Sequence, residues 1–305
     1  MADPQTKLLI AITGSSGLIG SALRQRLDQG GHRVLRLVRG EATGPEDRVW
    51  DPAAGRLDPA ALEGVDAVVN LAGAGIGDRR WSAEQKRLLA DSRVQGTTLL
   101  AETMAAMTNP PPVLLSGSAI GYYGDRGDQL LTESSEPGRT FLAQLCLSWE
   151  AATAAAEQAG VRVAHLRTGI VLDRAGGALA KMLPLFRFGL GGRMGSGRDY
   201  WSWISLQDEV EAMVFLLTNE VRGAVNLTAP NPATNAELTR ALAAAVHRPA
   251  LVPVPRFGPR LLLGAELADA LLFTSARVSP QALLDAGYPF HHPDLASALQ
   301  AALAK

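Results

Sequence analysis

Three glycines near the N-terminus, Gly14, Gly17 and Gly20, stand three residues apart directly after the apolar run 7–13. In such a turn the first glycine permits a tight bend, the second lets the backbone approach a pyrophosphate, and the third lets a helix pack on the strand. Free amides and the positive dipole at the start of that helix also suit an anion. The pattern predicts a dinucleotide site formed by Gly14, Ser15, Ser16, Gly17, Leu18, Ile19 and Gly20.

A basic residue, Arg39, ends the next apolar run, at the position where sites for a free ribose 2′-hydroxyl carry an acidic residue. A guanidinium can donate two hydrogen bonds to a phosphate, and Arg36 is a second basic side chain on the same run. These residue types favour NADP(H) over NAD(H). The alternative is that Arg39 is a solvated charge at a strand end.

Further candidates follow the apolar run that ends at Asn70. The residues after it, Leu71, Ala72 and Gly73, include small side chains that would let the chain pass close to a cofactor beyond the carboxyl ends of the strands. On the following helix, Arg93 could reach the same crevice. Its alternative is an exposed arginine paired with Asp91 or with solvent.

The elements that must position these residues alternate along the chain. Apolar runs of strand length are separated by longer helical segments, which is typical of a parallel sheet covered by helices on both faces. We therefore predict an α/β fold, a Rossmann-type doubly wound parallel sheet. The predicted strands are 8–12, 34–38, 67–71, 113–115 and 161–166, and the predicted helices are 18–29, 83–107 and 140–158.

The pattern changes after Gly169, and five glycines crowd residues 189–197. We predict an NADP(H)-binding Rossmann domain over residues 1–175 and a smaller, substrate-side C-terminal lobe over residues 176–305. The boundary between the two parts can lie several residues to either side of residue 175, and the chain can return to the sheet after it. Within the lobe, residues 206–217 and 236–245 have helical character.

Composition narrows the class of protein. A chain of 305 residues with 47% hydrophobic and 19% charged residues is typical of a globular protein, and it contains no apolar run of the roughly 20 residues that span a membrane. Residues 1–5 leave no room for an export signal, so we expect a cytoplasmic location. The single cysteine, Cys146, excludes an internal disulfide.

Charge and histidine placement disfavour two kinds of partner. The formal net charge is −1 and no long basic run occurs, so the electrostatic footprint of a nucleic-acid-binding protein is missing. His291 and His292 lack a carboxylate partner at metal-ligand spacing. We therefore expect a small-molecule substrate, with no nucleic acid and no metal.

Several segments together carry a family resemblance. They are residues 13–20, Asn70 to Gly73, Ser118 to Gly124, Trp149 to Ala152, Arg167 to Leu172, Gly195 to Gly197 with Trp203 and Ile204, and the run 253–289. They resemble an atypical extended short-chain dehydrogenase/reductase, specifically the epimerase-like family with a short C-terminal domain of unknown function. The resemblance covers nearly the whole chain. It implies an NADP-dependent oxidoreductase or epimerase with cofactor contacts at Arg39, Leu71, Ala72, Arg93 and Ile170.

The catalytic pattern of short-chain dehydrogenases is absent. Those enzymes place a tyrosine and a lysine one helical turn apart, so that lysine and the cofactor ribose lower the phenol pKa. Here no phenol stands at either candidate position, Phe141 or Leu142, and neither Leu145 nor Cys146 can replace the lysine. Any chemistry must use other groups.

Three hydroxyls are the replacement candidates. Ser118 matches the position of the family's catalytic serine, and Tyr122 and Tyr123 follow in the same loop. Without an adjacent lysine, the pKa of either phenol should stay near its reference of about 10, which makes a poor base at neutral pH. The alternative is that both tyrosines pack the loop and donate single hydrogen bonds.

Candidate substrate contacts are Arg167, Arg193 and Trp203. Arg167 either faces the crevice or forms a buried pair with Glu133 or Glu136. The glycine-rich residues 189–199, which include Arg193 and Arg198, could form a mobile basic lid over a substrate. Its apolar hinge would be Tyr200, Trp201 and Trp203.

Two functions are compatible with this sequence. The first is an NADP(H)-dependent oxidoreductase or epimerase-like enzyme that acts on a small or nucleotide-linked substrate between the two parts of the chain. The second is a non-catalytic regulatory or sensor protein that binds NADP(H), which the missing tyrosine and lysine favour.

Overall fold

A computed structural model describes residues 7–304 of the chain. Residues 1–5, on which the expectation about an export signal depends, lie outside this range. Within it the strands are β1 (Leu9–Thr13), β2 (Arg33–Val38), β3 (Asp47–Asp51), β4 (Arg56–Leu57), β5 (Ala67–Asn70), β6 (Val113–Ala119), β7 (Leu130–Leu131), β8 (Arg162–Thr168), β9 (Ile170–Leu172), β10 (Tyr200–Trp201), β11 (Trp203–Ser205), β12 (Gly223–Leu227), β13 (Ala233–Thr234) and β14 (Arg277–Val278).

The α-helices of the described residues follow the same chain order. They are α1 (Leu18–Gln29), α2 (Ala83–Ala106), α3 (Phe141–Ala151), α4 (Ala154–Gln158), α5 (Gly177–Arg187), α6 (Leu206–Thr218), α7 (Asn235–Ala245), α8 (Phe257–Leu263), α9 (Ala265–Leu272), α10 (Gln281–Asp285) and α11 (Leu295–Leu303).

Eight strands form the main sheet, in the order β12-β8-β6-β5-β1-β2-β3-β4. Every neighbouring pair is parallel except β3 and β4. β1 lies near the centre, where Ile10 is in register with Val34 of β2 and Ala67 of β5. The predicted Rossmann-type α/β fold is confirmed, and all five predicted strands lie in this sheet.

Alternate residues of the central strands bury apolar side chains on both faces of the sheet. Ile10 and Ile12 pack with Leu23 of α1 and Met213 of α6, whereas Ala11 packs with α2 and α4 on the opposite face. Because successive side chains of a strand point to opposite faces, a continuous apolar run buries both of them. For this reason the continuous apolar runs in the sequence predicted the central strands of the sheet.

One predicted helix is divided. Residues 140–158 form α3 and α4, with a break at Ala152 and Thr153. The Thr153 hydroxyl donates a hydrogen bond to the Glu150 carbonyl oxygen at 2.8 Å, and a threonine hydroxyl bonded in this way competes with the regular helical pattern. The chain then turns through α4 into β8.

The chain returns to the main sheet after the expected boundary at residue 175. α6 packs against α1, with Arg26 paired to Glu211 at 2.6 Å, and β12 then adds the outermost strand beside β8. α5, α7 and α11 pack around Trp203 in a second core, whereas α10 packs against β12 and β14 pairs with β7. None of the helices of residues 7–304 is long and apolar enough to cross a membrane.

Candidate functional site

The turn between β1 and α1 has the geometry that its glycines predict. Gly14 has a φ of +65°, and a Cβ there would lie 2.8 Å from the Leu71 carbonyl carbon; a Cβ on Gly20 would overlap the Gly14 carbonyl oxygen. A Cβ on Gly17 would meet only that same oxygen, at 3.4 Å. Gly14 and Gly20 are therefore required by the fold, whereas Gly17 leaves open space at the N-terminus of α1.

That N-terminus is available to an anion. Gly17 is the residue before α1 and offers no side-chain cap, so the first amides of the helix keep their donor capacity. Ser16 is exposed, Ser15 is buried, and Leu18 contacts the position of Gly176 at the start of α5. The turn thus presents free backbone amides next to the apolar side chain of Leu18.

A buried hydrogen-bond network that sequence reasoning missed holds the loop after β5. The Thr13 hydroxyl donates to Asn70 at 2.7 Å and accepts from the backbone amides of Leu71 and Ala72, each at 3.0 Å. Thr97 of α2 accepts from the Asn70 amide at 2.8 Å. Because every member is paired, the network fixes the Leu71 to Gly73 loop against Gly14.

The two basic candidates, Arg36 in β2 and Arg39 directly after it, have different surroundings. Arg36 is paired with Asp47 at 2.6 Å and is committed to the contact between β2 and β3. Arg39 is exposed at the strand end, and within residues 7–304 it forms no ion pair. Only Arg39 therefore offers its full set of donors to a phosphate.

A cavity of about 320 Å³ lies beyond the carboxyl ends of β6 and β8. Its lining is mainly apolar, and the polar side chains that reach it come from the residues Arg93, Ser118, Thr168, Tyr200, Ser202 and Thr274. Among the sequence-predicted residues, Arg93, Ser118 and Ile170 line this cavity. Clefts at this end of a parallel sheet are the usual ligand sites of such folds.

Arg93 is not an exposed helical arginine paired with Asp91. Its guanidinium is buried, donates to the carbonyl oxygens of Leu89 and Ala74 at 3.1 and 2.9 Å, and lies 5.1 Å from the centre of the Trp149 ring. Burial lowers its pKa from the ordinary arginine value. Arg93 thus brings a fixed guanidinium to the cavity beneath Gly73, and its expected contact with the cofactor stays a prediction.

Ser118 is the hydroxyl of β6 that faces the cavity, and it is part of a charged network. Its Oγ donates to Glu150 Oε1 at 2.6 Å, and Arg167 donates to both carboxylate oxygens of Glu150, at 2.8 and 2.9 Å. Sequence reasoning did not select Glu150, although it lies in one of the segments that carry the family resemblance. The sequence feature that could have identified Glu150 is a carboxylate on the helix that should carry the missing tyrosine and lysine.

The substrate contact expected of Arg167 is wrong in this geometry. The guanidinium is almost fully buried and outside the cavity lining, and its donors go to Glu150, the Tyr123 hydroxyl and the Glu133 carbonyl oxygen. Arg167 does form a buried ion pair, but its carboxylate partner is Glu150 and neither Glu133 nor Glu136, the partners expected from the sequence. Arg167 orients Glu150 and does not touch the cavity.

Neither tyrosine of the loop after β6 lines the cavity. Tyr123 is fully buried, donates to Asn226 Oδ1 at 2.7 Å and accepts from Arg167 at 3.0 Å; burial raises its pKa to about 12. Tyr122 stacks under Arg167, with its ring centre 3.4 Å from the guanidinium carbon. The catalytic roles expected of Tyr122 and Tyr123 are corrected to packing roles, because their rings support Arg167.

The positions of the missing acid/base pair face the cavity. Leu142 and Cys146 of α3, one helical turn apart, are both among its lining residues. Burial raises the pKa of the Cys146 thiol to about 11, so this residue is a neutral apolar group at physiological pH. The cavity wall that normally carries a phenol and an ammonium group is therefore uncharged.

The two other substrate candidates are also corrected. Trp203 is fully buried among α5, α7 and α11, so it is a core residue, and Trp201 lines the cavity instead. Arg193 is exposed and lies outside the cavity lining, with its backbone paired to the strand-like residue Val254 at 2.8 Å. Residues 189–199 thus pack against the chain around Val254 and do not lie over the cavity.

A buried carboxyl lies behind the cavity wall. The Thr168 hydroxyl donates to Glu209 Oε1 at 2.8 Å, and Glu209 Oε2 has no hydrogen-bond partner among the described residues. Burial raises the pKa of Glu209 to about 8. This side chain is therefore mainly protonated at neutral pH. Among residues 7–304 no cluster of three or more His, Cys, Asp or Glu side chains is placed to hold a metal ion.

A parallel sheet with a glycine-rich turn at the N-terminus of α1, and with a cavity beside it, defines a dinucleotide-binding protein of the Rossmann class. The model of the NAD dependent epimerase/dehydratase family matches residues 10–228, and a domain of unknown function (DUF1731) matches residues 254–302. The chain belongs to the NAD dependent epimerase/dehydratase family.

Its relatives align over almost the whole chain. An epimerase family protein of Mycobacterium tuberculosis is 48% identical over 292 residues, which cover 95% of this chain and 96% of the relative. The human epimerase family protein SDR39U1 is 36% identical over 295 residues, which cover 95% and 98%. Both carry the family name without a stated substrate.

Solved structures agree with this assignment. The crystal structure of human SDR39U1 (isoform 2) with NADPH has a TM-score of 0.88 at 33% identity and covers 96% of this chain and 98% of that chain. A nucleoside-diphosphate sugar epimerase of Corynebacterium glutamicum has a TM-score of 0.79 at 38% identity and covers 97% of this chain and 58% of that one.

Proposed function

We propose that this protein is an NADP(H)-dependent oxidoreductase or epimerase-like enzyme whose substrate reacts in the cavity beside Ser118. The observation that carries the proposal is the placement of one hydroxyl, bonded to a carboxylate, in an apolar cavity beyond the carboxyl ends of β6 and β8. A mainly apolar cavity with a few polar groups is the usual form of a small-molecule site, in which the polar groups orient the ligand.

The residues present fit the dinucleotide. The amides at the N-terminus of α1 would hold the pyrophosphate, the open space at Gly17 would admit it, and Arg39 would contact the 2′-phosphate. When bound, NADPH supplies a hydride to the reacting carbon. The NADPH in the human SDR39U1 crystal supports the choice of NADP(H) over NAD(H).

Ser118 and Glu150 would handle the proton. In the reduction, the carbonyl oxygen would take the Ser118 proton as the carbon accepts the cofactor's hydride, and Ser118 Oγ would take a proton from Glu150. In alcohol oxidation the protons would return along the same path to Glu150, while the hydride leaves the carbon for NADP+. Arg167 holds the carboxylate with two charge-assisted hydrogen bonds, which fixes its orientation toward Ser118. Ser118 is then the catalytic residue and Glu150 its proton-exchange partner.

The lining favours a small uncharged alcohol or carbonyl compound with an apolar body. Leu142, Trp149, Ile170, Trp201 and Leu271 surround the polar groups, and the single cation of the lining, Arg93, already donates to two backbone carbonyls. A sugar diphosphate inside the cavity would need cationic partners. A nucleotide-linked substrate is therefore the second choice.

A non-catalytic NADP(H)-binding protein is the alternative function. It is favoured by one observation, the uncharged Leu142 and Cys146 at the spacing of the usual acid/base pair. A sensor needs the cofactor site but no proton donor, and nothing in the turn at Gly17 distinguishes the two functions.

A turnover assay distinguishes the enzyme from the non-catalytic NADP(H)-binding protein. Purified protein is incubated with NADPH and a panel of aldehydes, ketones and sugar nucleotides, and loss of NADPH absorbance is followed together with product analysis. We expect conversion of an apolar carbonyl compound, and we expect Ser118→Ala to lower kcat while NADPH affinity is retained. The matched control is Ser148→Ala, an exposed serine of α3. Tight NADPH binding without conversion across the panel would favour the sensor.

A further inference from the structure

Two segments of the C-terminal half carry cations and no anions. Residues 174–198 contain five Lys and Arg, residues 238–265 contain four, and neither segment contains an Asp or Glu. The chain as a whole has a formal net charge of −1. Positive charge is therefore strongly segregated into these two stretches of sequence.

The same segments expose large apolar side chains. Leu251 is 84% exposed, Phe188 80%, Leu261 77%, Leu262 74% and Phe257 73%. Single exposed leucines are ordinary on protein surfaces, but residues of this size concentrated in two short segments indicate an interaction surface.

Hydrogen bonds join the two segments side by side. The Val254 amide donates to the Arg193 carbonyl oxygen at 2.8 Å, Gly195 donates back to Val254 at 2.9 Å, and Arg248 Nε donates to the Arg187 carbonyl oxygen at 3.3 Å. α8 follows directly in the chain. We call this surface the basic apolar face and define it by Arg187, Phe188, Arg193, Arg248 and Leu251.

The arginines of this face have no competing carboxylates. Arg187, Arg193 and Arg248 are exposed and form no ion pair within residues 7–304. The neighbouring Arg260 differs, because it is paired with Asp269 at 2.7 Å. Unpaired cations beside exposed aliphatic and aromatic side chains provide both attraction to an anionic surface and apolar groups to insert into it.

We propose that the basic apolar face binds peripherally to a membrane surface that contains anionic lipids. The apolar side chains protrude instead of lining a groove, which suits the acyl boundary of a bilayer better than the concave site of a peptide. A second copy of the chain is a poorer occupant, because a symmetric interface through this face would bring its unpaired arginines toward one another.

Vesicle sedimentation tests the proposal with the full-length protein. Vesicles of phosphatidylcholine with phosphatidylglycerol are compared with vesicles of phosphatidylcholine alone. We expect binding only to the anionic vesicles, with weakening at high salt, and a loss of about fivefold in partition for each of Arg187→Gln and Arg193→Gln. The double variant Phe188→Ser with Leu251→Ser should also lose binding.

Matched control variants lie outside the face. Arg33→Gln removes an exposed cation of β2, and Leu284→Ser removes a half-exposed leucine of α10; both should bind vesicles like the parent chain. Thermal unfolding confirms that each variant folds. The proposal is overturned if the parent does not bind anionic vesicles or if control and face variants lose binding equally. A dimer in light scattering that the face variants convert to monomer would identify a second copy as the occupant instead.

Discussion

Ser118, Glu150 and Arg167 connect the cavity to the interior through one hydrogen bond between Ser118 and Glu150 and two between Arg167 and Glu150. A carboxylate within hydrogen-bond reach of a hydroxyl can take up its proton, provided that another group fixes its orientation. Arg167 has this orienting role, and the rings of Tyr122 and Tyr123 hold Arg167 in turn. The carboxylate is thus the group on α3 that can exchange a proton with the cavity hydroxyl.

Glu150→Gln should therefore reduce turnover far more than cofactor affinity. The amide keeps the shape of the carboxylate but cannot accept a proton, so we expect kcat to fall about 100-fold or more, the scale of general acid–base catalysis. NADPH affinity should stay within a factor of two or so, because the site at Gly17 is untouched. The measurement is kcat with substrate and Kd for NADPH on the same preparation. An unchanged kcat would remove Glu150 from the proton path.

We expect Arg39 to set the preference for NADP(H) over NAD(H). If its guanidinium contacts the 2′-phosphate, Arg39→Ala should weaken NADPH binding by about 1.5 to 3 kcal/mol, the scale of a charge-assisted hydrogen bond, and should leave NADH binding nearly unchanged. Titration calorimetry with both cofactors measures the difference. Arg33→Gln, on the same strand, is the control for general charge effects. Equal losses for the two cofactors would contradict the assignment.

At the level of elements, we expect two glycines of the turn between β1 and α1 to have different roles: Gly17 in cofactor binding and Gly14 in folding. Gly17 has an extended backbone with a φ of −74° and open space around it, so Gly17→Val should fold and yet lose NADPH binding. Gly14→Val should fail to fold, because its φ is +65° and the new Cβ would press on the Leu71 backbone. Circular dichroism and NADPH titration distinguish the two outcomes. A Gly17→Val variant with normal NADPH affinity would exclude this turn as the phosphate site.

Helix α6 carries a pH-dependent contribution to stability. The folded pKa of Glu209 is about 8 against an ordinary 4.5, so the folded chain retains a proton that the unfolded chain releases. The contribution is fully present below pH 4.5 and is lost as the pH rises through about 8. Over that window the loss amounts to a few kcal/mol, at about 1.4 kcal/mol per pH unit.

Glu209→Gln should remove this dependence, since the amide stays neutral at every pH. We expect the Tm of the variant, relative to that of the parent chain, to rise steadily between about pH 5 and pH 8. Glu211→Gln on the same helix, where the carboxylate is partly exposed and paired with Arg26, is the control. Parallel Tm curves for the parent and Glu209→Gln would show that Glu209 is ionised in the folded protein.

At the scale of the whole molecule, the first 175 residues do not complete the sheet. β12 and α6 come from later in the chain, and Met213 and Leu216 of α6 pack on the same side of the sheet as Leu23 and Leu27 of α1. A fragment of residues 1–175 would leave this apolar surface exposed. We therefore expect that residues 1–175 do not fold as an independent unit.

Expression of that fragment tests the point. We expect residues 1–175 to aggregate or to bind a hydrophobic dye strongly, and to unfold without a cooperative transition, whereas the full chain unfolds cooperatively. A soluble fragment with a sharp thermal transition would show that the boundary expected from sequence is a true domain boundary.

The residues of the candidate cofactor site could be predicted from the sequence because they lie close together along the chain. Gly14, Gly17 and Gly20 lie within one strand-turn-helix, and Arg39 ends the next strand, so spacing along the chain fixes their spatial relation. Alternation of apolar runs likewise predicted five strands of the sheet. β3, β4 and β12 were missed because they are short or polar, and β12 forms only by pairing with β8.

Only the tertiary structure decided the cavity, because its walls come from distant parts of the chain. Spacing cannot show that Glu150 of α3 reaches Ser118 of β6, or that Leu271 of α9 closes the opposite side. Nor can it show that Trp201 faces the cavity while Trp203 is covered by α5, α7 and α11. Side-chain identity and spacing determined the dinucleotide turn, whereas the packing of non-adjacent elements determined which residues surround the substrate cavity.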